Sequence, residues 1–253
     1  MATETLHPTE QFSIHPIIPI DIAHYDVSLT NSGLYMLLAV ALTCLMTAIA
    51  ARGGSGVPTR MQALGEMAYE FTAGMLRSAA GEDGMRFFPF VFSIFFFVLL
   101  CNLLGFIPFT YTVTSEIVIT AALALLVFLT VVIVGIKDHG THFFSMFVPP
   151  GVPIYILPLV VAIEIVSFLS RPVSHSVRLF ANMLAGHITL YVFGAFVIML
   201  GTAGAAMKIF AVLPFAMAVA MDALELLVAF LQAYVFAMLT CMYLNDALHP
   251  GGH

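Results

Sequence analysis

The sequence predicts an all-α integral membrane protein: an N-terminal transmembrane helix, an interfacial amphipathic helix, a transmembrane helical hairpin and two long tilted membrane helices. Three observations predict it. Hydrophobic residues make up 61% of the 253 and charged residues only 9%, with a mean hydropathy of +1.06, far more apolar than an ordinary globular domain. Several apolar runs reach or exceed the ~20 residues needed to cross a ~30 Å hydrocarbon core. Finally, charges in the apolar C-terminal half fall at helical intervals, as buried polar seams do.

The chain reads as one membrane domain over 1–253. Residues 1–32 are polar, acidic and interrupted by proline, without a basic stretch leading into an apolar core, so no cleavable signal peptide is expected. Residues 33–51 form the first span. After the Gly-rich linker 51–58, residues 59–80 place Leu64, Ala68, Phe71 and Met75 opposite Glu66, Glu70 and Arg77, the pattern of an interfacial helix. Residues 87–109 and 116–136 each suit one crossing. Arg52, Arg60, Arg77 and Arg86 follow a stretch, 1–51, with no Lys or Arg. The positive-inside rule therefore sets the amphipathic helix in the cytoplasm and the N-terminus in the periplasm, and Lys137 agrees. The C-terminus is expected in the cytoplasm as well.

Segments 153–200 and 203–247 are too long for one upright crossing, since 45 helical residues extend roughly 70 Å. Either each is strongly tilted, or Arg171-Pro172-Val173-Ser174-His175-Ser176-Val177-Arg178 is a polar loop between two ordinary spans. Phase favours the helix: Glu164, Arg171 and Arg178 recur every seven residues, with His175 and Asn182 at helical offsets from Arg178. Asp222, Glu225 and Gln232 form a similar stripe, with Tyr243 near the same face.

Arg178 is the sharpest functional signal. A guanidinium does not deprotonate in a protein, and a fixed charge at bilayer depth costs about 2.5–3.5 kcal/mol on insertion scales. Such a residue wants a water-filled cavity or a carboxylate, which points to an ion path. The net charge of −6 and the lack of a basic stripe argue against nucleic-acid binding. Cys44, Cys101 and Cys241 are scattered in apolar segments and read as packing residues. Neither Lys137 nor Lys208 follows a glycine, so there is no phosphate-binding loop and no direct nucleotide binding is expected.

Ser170-Arg171-Pro172-Val173-Ser174, the run Arg178-Leu179-Phe180-Ala181-Asn182-Met183-Leu184-Ala185-Gly186-His187, and Leu231-Gln232-Ala233-Tyr234-Val235-Phe236 together resemble subunit a of the membrane sector of F-type ATP synthases, of the alphaproteobacterial and mitochondrial kind. Asn102-Leu103-Leu104-Gly105-Phe106-Ile107-Pro108-Phe109 extends the resemblance to the N-terminal half. It implies a non-catalytic stator subunit in the bacterial inner membrane, with two long helices packed against a ring of c subunits. Peripheral-stalk subunits of the b and b′ type and the rest of the synthase are further implied partners, with no cofactor or metal. Arg178 matches the family's essential arginine, between two aqueous half-channels.

In the family, Glu often stands where this chain has His187, with His on the last helix; here the last helix carries Glu225, so the pair looks exchanged. His187, Glu225 and Gln232 are then candidates for lining one half-channel, against the plainer reading of His187 as a structural hydrogen bond. Glu164, Ser174 and His175 are candidates for the cytoplasmic half-channel, with polar glue between helices as the alternative. Asp222 and Asn102 are assigned to the outer one, Tyr243 joins the polar seam, and Asn182 is placed to orient Arg178. Lys208 reads as a snorkelling lysine, His139 and His142 as interfacial, and the Phe95-Phe96-Phe97 run as facing lipid and neighbouring helices. Proton is the preferred ion, because the seams hold histidine and isolated carboxylates rather than clustered oxygen ligands.

Two rival classes are weaker. A secondary transporter would need internal repeats that the halves do not share. A cytochrome subunit would need axial ligands on facing helices, whereas His175 and His187 share one segment.

Overall fold

The computed structural model describes residues 15–18, 21–22, 25–26, 28–51, 59–107, 110–148, 152–204 and 207–249. The linker with Arg52, and Pro108-Phe109, lie outside the described residues. Near the N-terminus two short antiparallel pairs form, β1 (Pro16–Ile18) with β4 (Leu29–Thr30) and β2 (Asp21–Ile22) with β3 (Tyr25–Asp26). All other regular structure is helical: α1 (Asn31–Ala51), α2 (Arg60–Ala80), α3 (Phe88–Phe106), α4 (Ile117–His139), α5 (Leu157–Thr202), α6 (Met207–Phe210) and α7 (Val212–Leu248). Among the described residues, five helical stretches are long and apolar enough to cross a membrane.

Local chemistry sets the boundaries. Thr59 and Gln62 form a reciprocal capping box at the start of α2, satisfying two donors that the helix leaves free. The buried side of α2 is Thr72, Ala73, Met75, Leu76 and Ala80. Leu64 and Phe71 of the apolar stripe are exposed, and Phe71 touches the rings of Phe95, Phe230 and Tyr234. Gly140 ends α4 at φ 56°, where a side chain would be strained. The next turns, Gly140–Phe147, fold back so that Phe143 and Phe147 reach Phe168 of α5.

The stretch 171–178 is helix, and α5 runs unbroken for 46 residues with Pro172 inside it. Proline forfeits the bond to the Phe168 carbonyl, but burial of Phe168, His175, Ser176, Leu179 and Met183 along one side holds the helix through it. The last segment is divided: α6 and α7 are separated at Ala211, whose N–H still bonds to the Met207 carbonyl. Pro214 sits in the first turn of α7, where a missing N–H does no harm.

Helix α7 is the centre of the bundle, in contact with α2, α3, α4 and α5. Val91, Phe95 and Val98 of α3, Val127 and Val131 of α4, Leu179 of α5 and Ala233, Phe236, Cys241 and Leu244 of α7 share one core. Phe95 and Phe96 are thus core residues, meeting edge to face. Only one side of α5 and α7 is buried, and Val166, Leu169, Val173 and Val177 of α5 and Leu227, Phe230 and Leu231 of α7 remain exposed. Soluble proteins rarely leave so broad an apolar surface uncovered, whereas lipid or a membrane partner covers it without penalty.

Candidate functional site

Helices α5 and α7 lie antiparallel and pair their polar residues in register. Going along α5 and back along α7, Arg171 meets Asp246, His175 meets Tyr243, Asn182 meets Gln232, and His187 meets Glu225. The steps between rungs are four, seven and five residues along α5 and three, eleven and seven along α7, most of them close to whole helical turns.

At one end, His187 Nε2 lies 3.4 Å from Glu225 Oε1 and 2.9 Å from the Thr112 hydroxyl. Glu225 is 5% exposed, and neither carboxylate oxygen accepts a hydrogen bond from a described group. A charged carboxylate so placed is costly without a cationic neighbour. Asp222, one turn away on α7, is exposed. Gly186 permits the approach, since a Cβ there would stand 2.8 Å from Glu225 Oε1. Thr112 belongs to the connection between α3 and α4. In the same connection Tyr111 donates to Glu116, and burial first, then that bond and the Glu116 charge, push its phenol above the ordinary tyrosine range.

In the middle, Asn182 Nδ2 donates to Gln232 Oε1 at 3.2 Å. Arg178, one turn earlier, is exposed and makes no ion pair or hydrogen bond among the described residues. Exposed Val177 precedes it, and exposed Ser174, Ala181 and Asn182 lie at helical offsets from it. His175, three residues before it, turns inward: it is 4% exposed and its ring lies edge-on to Phe236 at 3.9 Å between centroids. The two therefore point to different sides of α5. Ser174 is exposed, and Ser176, absent from the sequence-based candidates, exchanges a 3.2 Å hydroxyl contact with Thr120.

At the other end, Arg171 Nη1 donates to Asp246 Oδ2 at 2.7 Å with its guanidinium over the Tyr243 ring. Glu164 is two further turns along, half-buried. Asn102 stands apart from the α5–α7 ladder, buried on α3, where it donates to the Ala229 carbonyl at 3.1 Å. Sequence reasoning missed Thr112, Asp246 and Arg171's partnership: nothing in a linear pattern signals that a connecting threonine reaches a histidine 75 positions away. Among the described residues no cluster of three or more His, Cys, Asp or Glu could hold a metal. His139 bonds the Leu248 carbonyl at 2.9 Å and His142 is exposed.

The described residues form an all-α bundle of membrane-length helices with a polar ladder between its two longest members. The chain belongs to the family described as ATP synthase A chain, whose profile matches residues 33–245. It is similar to proteins named ATP synthase subunit a: from Chelativorans sp., 61% identical over 99% of this chain and 100% of the relative; from Rhizobium rhizogenes, 61% over 97% and 98%; and from Nitrobacter winogradskyi, 59% over 97% and 99%.

Proposed function

We propose that this chain is the proton-translocating stator subunit of an F-type ATP synthase in the bacterial inner membrane, with the exposed face of α5 and α7 set against a ring of c subunits. The observation that carries the reading is Arg178, a fixed cation on an exposed face of α5 with no ion pair or hydrogen bond among the described residues. A ring carboxylate facing lipid is stable only when protonated, and one facing Arg178 is stabilised as the anion. Passage beside the arginine thus favours release of one proton and uptake of another, which couples rotation to transfer. Arg178 also separates the two half-channels, as positive groups do in proton-excluding pores. Each proton brings about 2.3 kcal/mol per 100 mV.

His187, Glu225, Gln232, Asn102 and Asp222 are assigned to the outer half-channel, with Thr112 beside them. Ser174, His175, Tyr243 and Glu164 are assigned to the cytoplasmic one, and Asn182 to positioning near Arg178. The N-terminus is periplasmic, and α2 and the C-terminus are cytoplasmic. In support, Asp83 and Arg86 of the α2–α3 connection meet His249 and Asp138 at one end of the bundle, grouping the segments that the positive-inside rule assigns to the cytoplasm. Peripheral-stalk subunits of the b and b′ type complete the stator, and nucleotide chemistry belongs to other subunits.

The test is the assembled complex in sealed vesicles under an imposed proton gradient. Arg178→Ala abolishes ATP synthesis in a complex of normal composition; synthesis at the unmodified rate would overturn the proposal.

A further inference from the structure

Two arginines repeat on α5, and they differ in state. Arg171 and Arg178 lie seven residues apart, about 10 Å along the axis and within about 20° of the same direction. No other Lys or Arg occurs in α5 or α7. Arg178 is exposed and unpaired among the described residues. Arg171 instead turns into the groove between the helices. Its Nη1 meets Asp246 Oδ2 at 2.7 Å, with side chains 25% and 18% exposed. Its Cζ lies 4.9 Å from the centre of the Tyr243 ring and 5.4 Å from that of Phe168.

From this contrast we infer that Asp246 is a positioning residue that neutralises Arg171 and holds it in the groove, so that Arg178 is the one unpaired cation a moving carboxylate meets on this face. The inference rests on the reading of Arg178 given above. Two free guanidinium groups about 10 Å apart would offer a membrane carboxylate two stable resting places. The second would hold the anion away from the half-channel that should reprotonate it, and rotation would stall there. A paired Arg171 presents little net charge to the ring, and the Tyr243 face packed on its guanidinium resists its swinging outward. Tyr243 and Asp246, one turn apart on α7, act together in this.

A simple structural tie makes a different forecast, and double substitution separates the two. For charge selection, Asp246→Asn frees Arg171 and lowers ATP synthesis per assembled complex roughly tenfold, while Arg171→Gln with Asp246→Asn removes both charges and restores synthesis to within roughly threefold of the unmodified complex, because contacting residues are non-additive. Arg171→Gln alone leaves a carboxylate that can take up a proton, so its loss is smaller than that of Asp246→Asn. For a mere tie, all three variants lose the same contact and fail alike. Equal loss in the three assembled complexes overturns the inference. If Asp246→Asn does not assemble, the double variant decides alone: recovery supports charge selection, and failure to assemble or to synthesise ATP overturns it. Arg178→Ala is measured in parallel. If active, it overturns the reading of Arg178 and this inference with it; if inactive while the three variants fail alike, only this inference falls.

Discussion

His187 and Glu225 face one another across the α5–α7 groove through the same imidazole nitrogen, Nε2, that contacts the Thr112 hydroxyl, at 3.4 Å and 2.9 Å. One ring nitrogen thus stands between a carboxylate and a hydroxyl. It can carry a proton towards the carboxylate or accept one from the threonine, and the tautomer decides which. The contact joins the two long helices to the α3–α4 connection at a point where a buried acid accepts no hydrogen bond from any described group.

If these two residues work as one proton-handling couple, His187→Ala reduces ATP synthesis much more than assembly. The exchange His187→Glu with Glu225→His then recovers more activity than the separate changes allow, with a coupling on the order of 0.5–3 kcal/mol. The readout is a double-mutant cycle on ATP synthesis per assembled complex. Additive losses would show that the pair is not coupled.

Gly186 supplies an independent probe of the same geometry. A methyl group there would lie 2.8 Å from Glu225 Oε1 and 3.0 Å from its carboxyl carbon, so Gly186→Ala must push the acid from its place beside His187. We expect at least about a tenfold fall in synthesis, from a displacement of about 1 Å in a positioned group. Glu225→Asp, shorter by one methylene, should restore part of the activity in the Gly186→Ala background while being harmful by itself. If Gly186→Ala is fully active, the position of Glu225 is not important to transport.

How much of this was legible in the sequence depends on the kind of contact. Periodicity identified the spans and the seven-residue seam, because burial in a membrane bundle must repeat with the helix. Composition left 171–178 open, since Pro172 and five polar or charged neighbours read equally as a loop; the seven-residue phase favoured helix, and packing of Phe168, His175 and Leu179 against other helices holds it. The same packing turns His175 inward although it lies within one turn of Arg178. Asp222 and Glu225 looked equivalent on a shared stripe, yet a three-residue offset leaves one exposed and buries the other. Thr112 and Asp246 gave no signal, since their partners come from distant parts of the chain.

The proposed orientation in the membrane rests on charge placement and is open to direct measurement. Cysteines introduced at Thr3 and Ser55, both outside the described residues, should react with a membrane-impermeant thiol reagent from opposite sides of sealed vesicles in a background without exposed Cys44. The arginines between 51 and 87 set this expectation. Labelling of both from one side would remove the first crossing or invert the topology.

Arg178→Lys separates charge from chemistry at the central position. Lysine keeps a positive charge in water, but its ammonium is a compact point charge with a proton that burial can strip. Both roles proposed for Arg178 require a cation that never becomes neutral: it must stabilise the ring carboxylate as an anion and refuse to relay a proton between half-channels. A guanidinium also presents several donors in a plane, so it can remain engaged as a carboxylate slides past, whereas an ammonium must reorient. The exposed surface around position 178 becomes a dry interface once covered by a ring, which is where the difference between the two cations is largest. We therefore expect Arg178→Lys to assemble normally and to lose ATP synthesis by at least about a hundredfold, equivalent to about 2.7 kcal/mol in the coupled step. Passive proton flux in the same vesicles distinguishes the two roles: increased leak means the barrier has failed, and unchanged leak with lost synthesis means the carboxylate is no longer handled. Near-normal synthesis by Arg178→Lys would show that a positive charge of any kind suffices, and the requirement for a permanent cation would have to be abandoned.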